Sequence, residues 1–356
     1  MSHAFRELLR KIGSGTHTGY NLTRSEAHSA TRMMLLQEAT PAQIGAFMIA
    51  HRIRRPTGAE LAGMLDAYEE LGPRLQAIAS SRPVMVFGMP YDGRTRTLPI
   101  ILLTTLILAA AGCPVVLHGG DRMPTKEGDP LILFWQGLGM NWATMPLSQV
   151  QATFEQTGIG FVYVPNHFPL AHGLVPYREQ IGKRPPFATM ELMWCPYAGN
   201  AHVVSGFVHP PTELMFQAAF ALRRVSEFTT VKGLEGSCDL PRERTAIIGL
   251  GTVNNAGEAA LERLCLSPRE FGFEGANVAL SAPEEAIAAM QSVLAGQPSE
   301  LMKSALWNGG FYLWRCGISP SIQAGITQAE ALLTTGQAKQ KLQEIQQTTS
   351  AIAVIR

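Results

Sequence analysis

After Arg82-Pro83 the chain takes up a strand, loop, helix, strand rhythm, and this unit narrows the choice of fold more than any other feature of the sequence. Val84-Met85-Val86-Phe87 is a short apolar run, residues 88–97 carry glycine, proline and arginine, Leu98 to Ala111 is the most apolar stretch of the chain, and Pro114 to Leu117 is apolar again. Two strands joined through a helix lie parallel, with a right-handed crossover. The alternation continues with a helix near residues 146–157 and with strands at Phe161–Val164, Val203–Val208, Phe228–Val231 and Ala246–Ile248. The expected fold class is α/β, a mostly parallel sheet flanked by helices.

Residues 1–79 follow a helical period instead. Phe5, Leu8, Leu9 and Ile12 form an amphipathic turn that stops at Gly13-Ser14-Gly15. Thr23-x-x-Glu26 and Thr57-x-x-Glu60 have the spacing of capping boxes, and Thr40-Pro41 supplies an N-cap followed by a proline at the first helical position. A helical bundle is expected over residues 1–79, joined by about 169–185, with an α/β unit over 80–356. Helices at 283–295, 299–315 and 319–345 would close the second unit. A length of 356 residues suits two units, and 46% hydrophobic against 16% charged residues provides a large core.

The 29 basic and 28 acidic residues leave a formal charge of +1, which excludes bulk attraction to nucleic acid or anionic lipid. Any such binding needs a local patch. The five cysteines show no paired spacing for zinc or redox chemistry and read as reduced thiols. The N-terminal stretch has no secretion-signal core, and Leu98–Ala111 is shorter than the roughly 20 residues of a membrane span. A cytoplasmic protein without a membrane partner is expected.

In parallel sheets, ligands collect beyond the carboxyl ends of the strands. Two loops there suit an anion. The first offers Gly88, Asp92, Gly93, Arg94, Thr95, Arg96 and Thr97, and the second His118, Gly119, Arg122 and Thr125. Glycines allow close backbone approach, hydroxyls donate, and arginines form bidentate contacts to phosphate. Each loop alone also suits an ordinary solvated turn; it is their position on adjacent strands that favours a phosphate cleft. In a third loop Glu235 and Asp239 have the hard oxygens that Mg²⁺ prefers, although two solvated carboxylates would leave the same pattern.

The order of segments resembles the anthranilate phosphoribosyltransferase family, which shares its fold with the pyrimidine nucleoside phosphorylases. The likeness runs from Leu22-Thr23-Arg24-Ser25-Glu26-Ala27 and Pro41-Ala42-Gln43-Ile44-Gly45-Ala46-Phe47 through Thr157-Gly158-Ile159-Gly160-Phe161 to Asn308-Gly309-Gly310. The resemblance implies a phosphoribosyl or other glycosyl transferase using phosphoribosyl pyrophosphate and Mg²⁺, and a homodimer formed through the N-terminal helices. The loops depart from the family pattern. Its Gly-Thr-Gly-Gly-Asp reads Gly88-Met89-Pro90-Tyr91-Asp92 here, and its Lys-His-Gly-Asn-Arg reads Leu117-His118-Gly119-Gly120-Asp121-Arg122. The Asn-Pro-Ala-Arg that helps hold anthranilate falls at Cys195-Pro196-Tyr197-Ala198, without the arginine, and the metal-binding Asp-Glu pair falls on Cys238-Asp239. Altered donor and acceptor sites that do not take anthranilate are therefore expected. The changes are similar to those of a divergent second branch of the family, which implies an alternative: a non-catalytic nucleic-acid-binding homologue, with Arg94, Arg96, Arg122, Lys126, Lys183 and Arg184 lining a basic groove.

Overall fold

A computed structural model describes residues 3–15, 18–254 and 256–354. The outermost residues of the two expected units, 1–2 and 355–356, lie outside the described residues. Four helices open the chain: α1 (His3–Gly13), α2 (Arg24–Leu35), α3 (Pro41–Arg54) and α4 (Gly58–Leu71). Their starts are set by local chemistry. Thr23, Thr40 and Thr57 each accept from the backbone N–H three residues on, while Glu26, Gln43 and Glu60 reach back to the cap N–H. Glu60 also accepts from Leu22 N at 2.8 Å, so one carboxylate caps α4 and anchors the approach to α2.

The sheet then begins. Its first half comprises β1 (Val84–Phe87), α5 (Ile101–Ala110), β2 (Val115–Gly119), α6 (Leu131–Gly137), α7 (Leu147–Thr157) and β3 (Ile159–Tyr163). Short helices α8 (Val164–His167), α9 (Pro169–His172), α10 (Val175–Ile181) and α11 (Phe187–Met190) follow, and they return the chain to the bundle, where α10 meets α3 and α11 meets α4. The second half is β4 (Ala201–Gly206), α12 (Pro210–Arg223), β5 (Glu227–Val231), β6 (Ala246–Val253) and β7 (Ala259–Leu266), closed by α13 (Pro283–Leu294), α14 (Glu300–Arg315), α15 (Ile322–Thr334) and α16 (Gln337–Val354).

The seven strands lie in the order β3-β2-β1-β4-β5-β6-β7. The first five are parallel and the last two antiparallel, so the sheet is mixed and mostly parallel. Strand β7 was not anticipated. Its alternation is confined to an exposed edge and interrupted by Glu262 and Arg263, which carry little strand preference. The helix expected over 319–345 is two helices, because Gly336 adopts φ 77° and ends α15 in a left-handed turn. Helix α5 is buried on nearly every face, packed beneath α14 and α16, which explains a sequence whose only polar residues are Thr104 and Thr105.

The ends of β1 and β2 are direct neighbours, with Phe87 opposite Leu117. The loops that leave them, 88–97 and 120–128, consequently emerge side by side. α4 packs on α12 across the seam between bundle and sheet, where Asp66 of α4 holds both Arg24 and Arg223.

Candidate functional site

The two loops after β1 and β2 are laced together by backbone. Arg94 N donates to Asp129 O at 3.1 Å, Asp129 N returns to Arg94 O at 2.8 Å, and Gly128 N donates to Asp92 O at 3.0 Å. Gly93 makes this approach possible: it has φ 77°, and a Cβ there would lie 2.3 Å from Gly128 O. A cavity of about 30 Å³, room for about one water molecule, lies between the first and third loops, bounded by Pro90, Arg94, Asp129, Ser237 and Asp239.

Between the first and second loops three aromatic groups pack together. His118 is fully buried, its Nδ1 shares a hydrogen bond with the Tyr91 hydroxyl, and its ring lies 5.1 Å from that of Trp194. Burial drives the His118 imidazole down to about 3, only partly opposed by a backbone contact to Trp194, so the ring is uncharged at neutral pH. Gly119 belongs to β2 and is buried. Arg122 and Thr125 stand on the exposed rim, with Arg122 paired to Asp129.

Arg94 turns inward. Only 5% exposed, it donates to Leu234 O at 3.0 Å, to Asp239 Oδ2 at 3.1 Å and to the Ser237 hydroxyl, while its other nitrogens reach Thr97. Glu235 projects from a short 3₁₀ turn, Leu234–Gly236, into the first loop. Its Oε1 accepts from Arg96 N at 3.0 Å, Thr97 N at 2.9 Å and Thr97 Oγ1 at 2.9 Å. Its Oε2 accepts from Thr95 N at 3.2 Å and Thr95 Oγ1 at 3.0 Å. Arg94, Lys126 and Arg96 stand 3.6, 3.6 and 3.9 Å away. Burial by itself would raise the Glu235 carboxyl, but the Arg94 charge and the Arg96 and Thr97 amides bring it down to about 2.

Other cations around the cleft are neutralised in the same way. Asp92 pairs with Arg184, and the fully buried Arg178 pairs with Glu191 on two nitrogens. Arg178 and Glu191 escaped the sequence reading, since neither lies in a glycine-bearing loop. Their proximity to Tyr68 and Met123 arises only when α10 folds back.

Mg²⁺ does not fit the third loop. The Arg94 guanidinium stands between Glu235 and Asp239, and every oxygen of Glu235 is already engaged. Burial raises the Asp239 carboxyl although Arg94 and the Ile100 amide pull it down, and its Oδ1 has no hydrogen-bond partner. A divalent ion there would face a buried positive charge and would lack most of the oxygen ligands it requires. Among the described residues no group of three or more His, Cys, Asp or Glu could hold a metal.

An open cavity lies next to these loops. A groove of about 590 Å³ runs between the end of α3 and the start of α12, lined by Arg52, Arg55, Arg184, Thr189, His209 and Thr212. Arg184 joins the groove to Asp92 of the first loop, and Arg52 donates to Arg184 O. Of the residues expected to line a basic groove, Arg184 does so, already paired with Asp92, whereas Arg94, Arg96 and Lys126 stand against Glu235 and Arg122 against Asp129. Arg52 and Arg55 were missed because, in sequence, they are the basic last turn and cap of a helix.

The sequence pattern of the glycosyl transferase family α/β domain matches residues 92–339, and that of the family's helical bundle domain matches residues 6–72. The chain belongs to glycosyl transferase family 3. Within the family it is related to the anthranilate phosphoribosyltransferases. The enzyme of that name from Azorhizobium caulinodans is 28% identical over 98% of both chains, and the one from Polaromonas sp. is 26% identical over 90% of this chain and 91% of its own. Among solved structures, anthranilate phosphoribosyltransferase from Saccharomyces cerevisiae in complex with PRPP and Mg superposes with a TM-score of 0.83 at 17% identity, covering 98% of this chain and 99% of the yeast one. The enzyme from Thermus thermophilus gives a TM-score of 0.78 at 20% identity, covering 98% and 100%. At these identities the structures establish that the family 3 chain shares their fold. No described helix is long and apolar enough to cross a membrane.

Proposed function

We propose that this family 3 protein binds the phosphate backbone of nucleic acid in the groove walled by Arg52, Arg55 and Arg184, and that its inherited phosphoribosyl pocket is shut. The observation that carries this reading is the contrast in charge. Between the loops every cation is held by a carboxylate of the chain itself, whereas in the 590 Å³ groove Arg52 and Arg55 are exposed and, among the described residues, have no carboxylate partner. A near-neutral protein that binds a polyanion must do so through such a local patch.

The test is fluorescence anisotropy with a single-stranded oligonucleotide over a range of salt. About two phosphate contacts, through Arg52 and Arg55, would give a slope of roughly −1.5 in log K against log salt. Replacing Arg52 and Arg55 together by alanine should flatten that slope by about one and a half. Binding that is undetectable at low salt ends the proposal.

A second reading, a glycosyl or phosphoribosyl transferase with altered donor and acceptor sites that does not take anthranilate, is favoured by the size of the same groove, which would admit a phosphorylated sugar beside the start of α12. The yeast relative's complex with PRPP and Mg supports a donor of that class. Here the metal would have to be held elsewhere than at Glu235 and Asp239. Saturable binding of ribose 5-phosphate with no oligonucleotide binding would favour this reading. We further propose a homodimer through the N-terminal helices, supported by an apolar surface hollow of about 650 Å³ between α1 and α3, where Ile53 is 75% exposed.

A further inference from the structure

We infer that the backbone of Thr95–Thr97 is a latent binding site for a phosphoryl oxyanion and that the carboxylate of Glu235 occupies it as an internal stand-in. This rests on the reading that the inherited pocket is shut, and names the group that shuts it.

Three features support it. Three successive amides, Thr95, Arg96 and Thr97, converge on one point together with two hydroxyls, an arrangement that concentrates positive potential and suits an anion better than a neutral acceptor. Lys126 and Arg94 add charge from two further directions, each 3.6 Å from the carboxylate. So rich a donor set exceeds what a single carboxylate needs, and the tetrahedral oxygens of a phosphoryl group would use it more completely.

Glu235 also holds an unfavourable backbone conformation. It has φ 54° and ψ 24°, the left-handed region that glycine adopts freely and other residues resist, and it stands directly before Gly236. The contacts of its side chain compensate for that backbone. Glycine at 235 would relieve the backbone and remove the carboxylate in one step, and would leave five donors and the ammonium of Lys126 without their anion.

The experiment is a calorimetric titration of wild-type protein and Glu235→Gly with inorganic phosphate and, separately, with ribose 5-phosphate, each at fixed ionic strength. The glycine variant should bind at least one of them ten times more tightly than wild type, and whichever ligand shows the gain identifies a free or an esterified phosphoryl group. Adding Thr95→Ala and Thr97→Val, which removes two of the five donors, should reduce the gain at least threefold. A folded glycine variant that binds neither ligand more tightly, or a gain left unchanged by loss of both hydroxyls, overturns the inference. If the glycine variant does not fold, Glu235→Asn, which tolerates the left-handed backbone and is one methylene too short to fill the site, should gain at least threefold; no gain there is equally decisive. Oligonucleotide binding through Arg52 and Arg55 is read in a separate assay, so failure of the groove proposal and failure of this one are distinguishable.

Discussion

Replacing Glu235 by glutamine should destabilise the protein in a manner that depends on pH. The folded carboxyl titrates at about 2, against an ordinary value of 4.5. A difference of about 2.5 pH units corresponds to on the order of 3 kcal/mol of stability from the charged form. The sign follows from the direction of the shift. Because the folded value is depressed, the contribution is complete above about pH 4.5 and disappears as pH falls toward 2. At neutral pH the glutamine variant should melt lower by on the order of 4 °C, taking about 2.1 cal/mol/K of unfolding entropy per residue over the chain. By pH 3 more than half of that gap should have closed, because the unfolded carboxyl is then protonated and the folded one still mostly ionised. Parallel thermal melts of the two proteins from pH 7 to pH 3 measure it. A gap of constant size across this range, or no gap at neutral pH, would refute the idea that the loop amides and Arg94 hold a charged carboxylate.

Three further outcomes follow from the same structure. Arg178→Met leaves Glu191 buried without its partner and should cost about 3–5 kcal/mol, and adding Glu191→Leu should recover most of the loss; chemical denaturation of the single and double variants checks this. Ile53→Arg should convert a dimer into a monomer in light scattering behind size exclusion, and a wild-type protein that is already monomeric would remove the proposed interface. Magnesium at 10 mM, matched in ionic strength with a sodium salt, should shift the melting temperature by less than about 1 °C, since linkage requires a site that the folded state provides.

What the sequence made legible was local. The three capping boxes place the starts of α2, α3 and α4 because a threonine and a glutamate or glutamine three residues apart satisfy each other without help from the rest of the chain. The β1, α5, β2 unit was equally plain from its apolar runs, and with it the adjacency of the two loops. The role of those loops was not plain, because it depends on partners remote in sequence. Arg94 meets Asp239 across 145 residues and Arg184 meets Asp92 across 92. A loop with arginines and threonines reads as a place for an anion, and the amides do converge on one. Only the folded chain reveals that the anion is its own Glu235. Likewise Pro90 and Tyr91 were legible as departures from a glycine-rich loop, but the packing of Tyr91 on His118 beside Trp194 needed the return of the chain through residues 187–194.

The account turns on whether the pocket between the first and second loops is closed in the native protein. Isothermal titration of the wild-type chain with phosphoribosyl pyrophosphate and Mg²⁺ addresses that directly. No saturable heat is predicted at millimolar ligand, because Glu235 holds the amides and Arg94 holds the carboxylates a metal would need. A dissociation constant below about 100 µM, some 5.5 kcal/mol of binding, would contradict it.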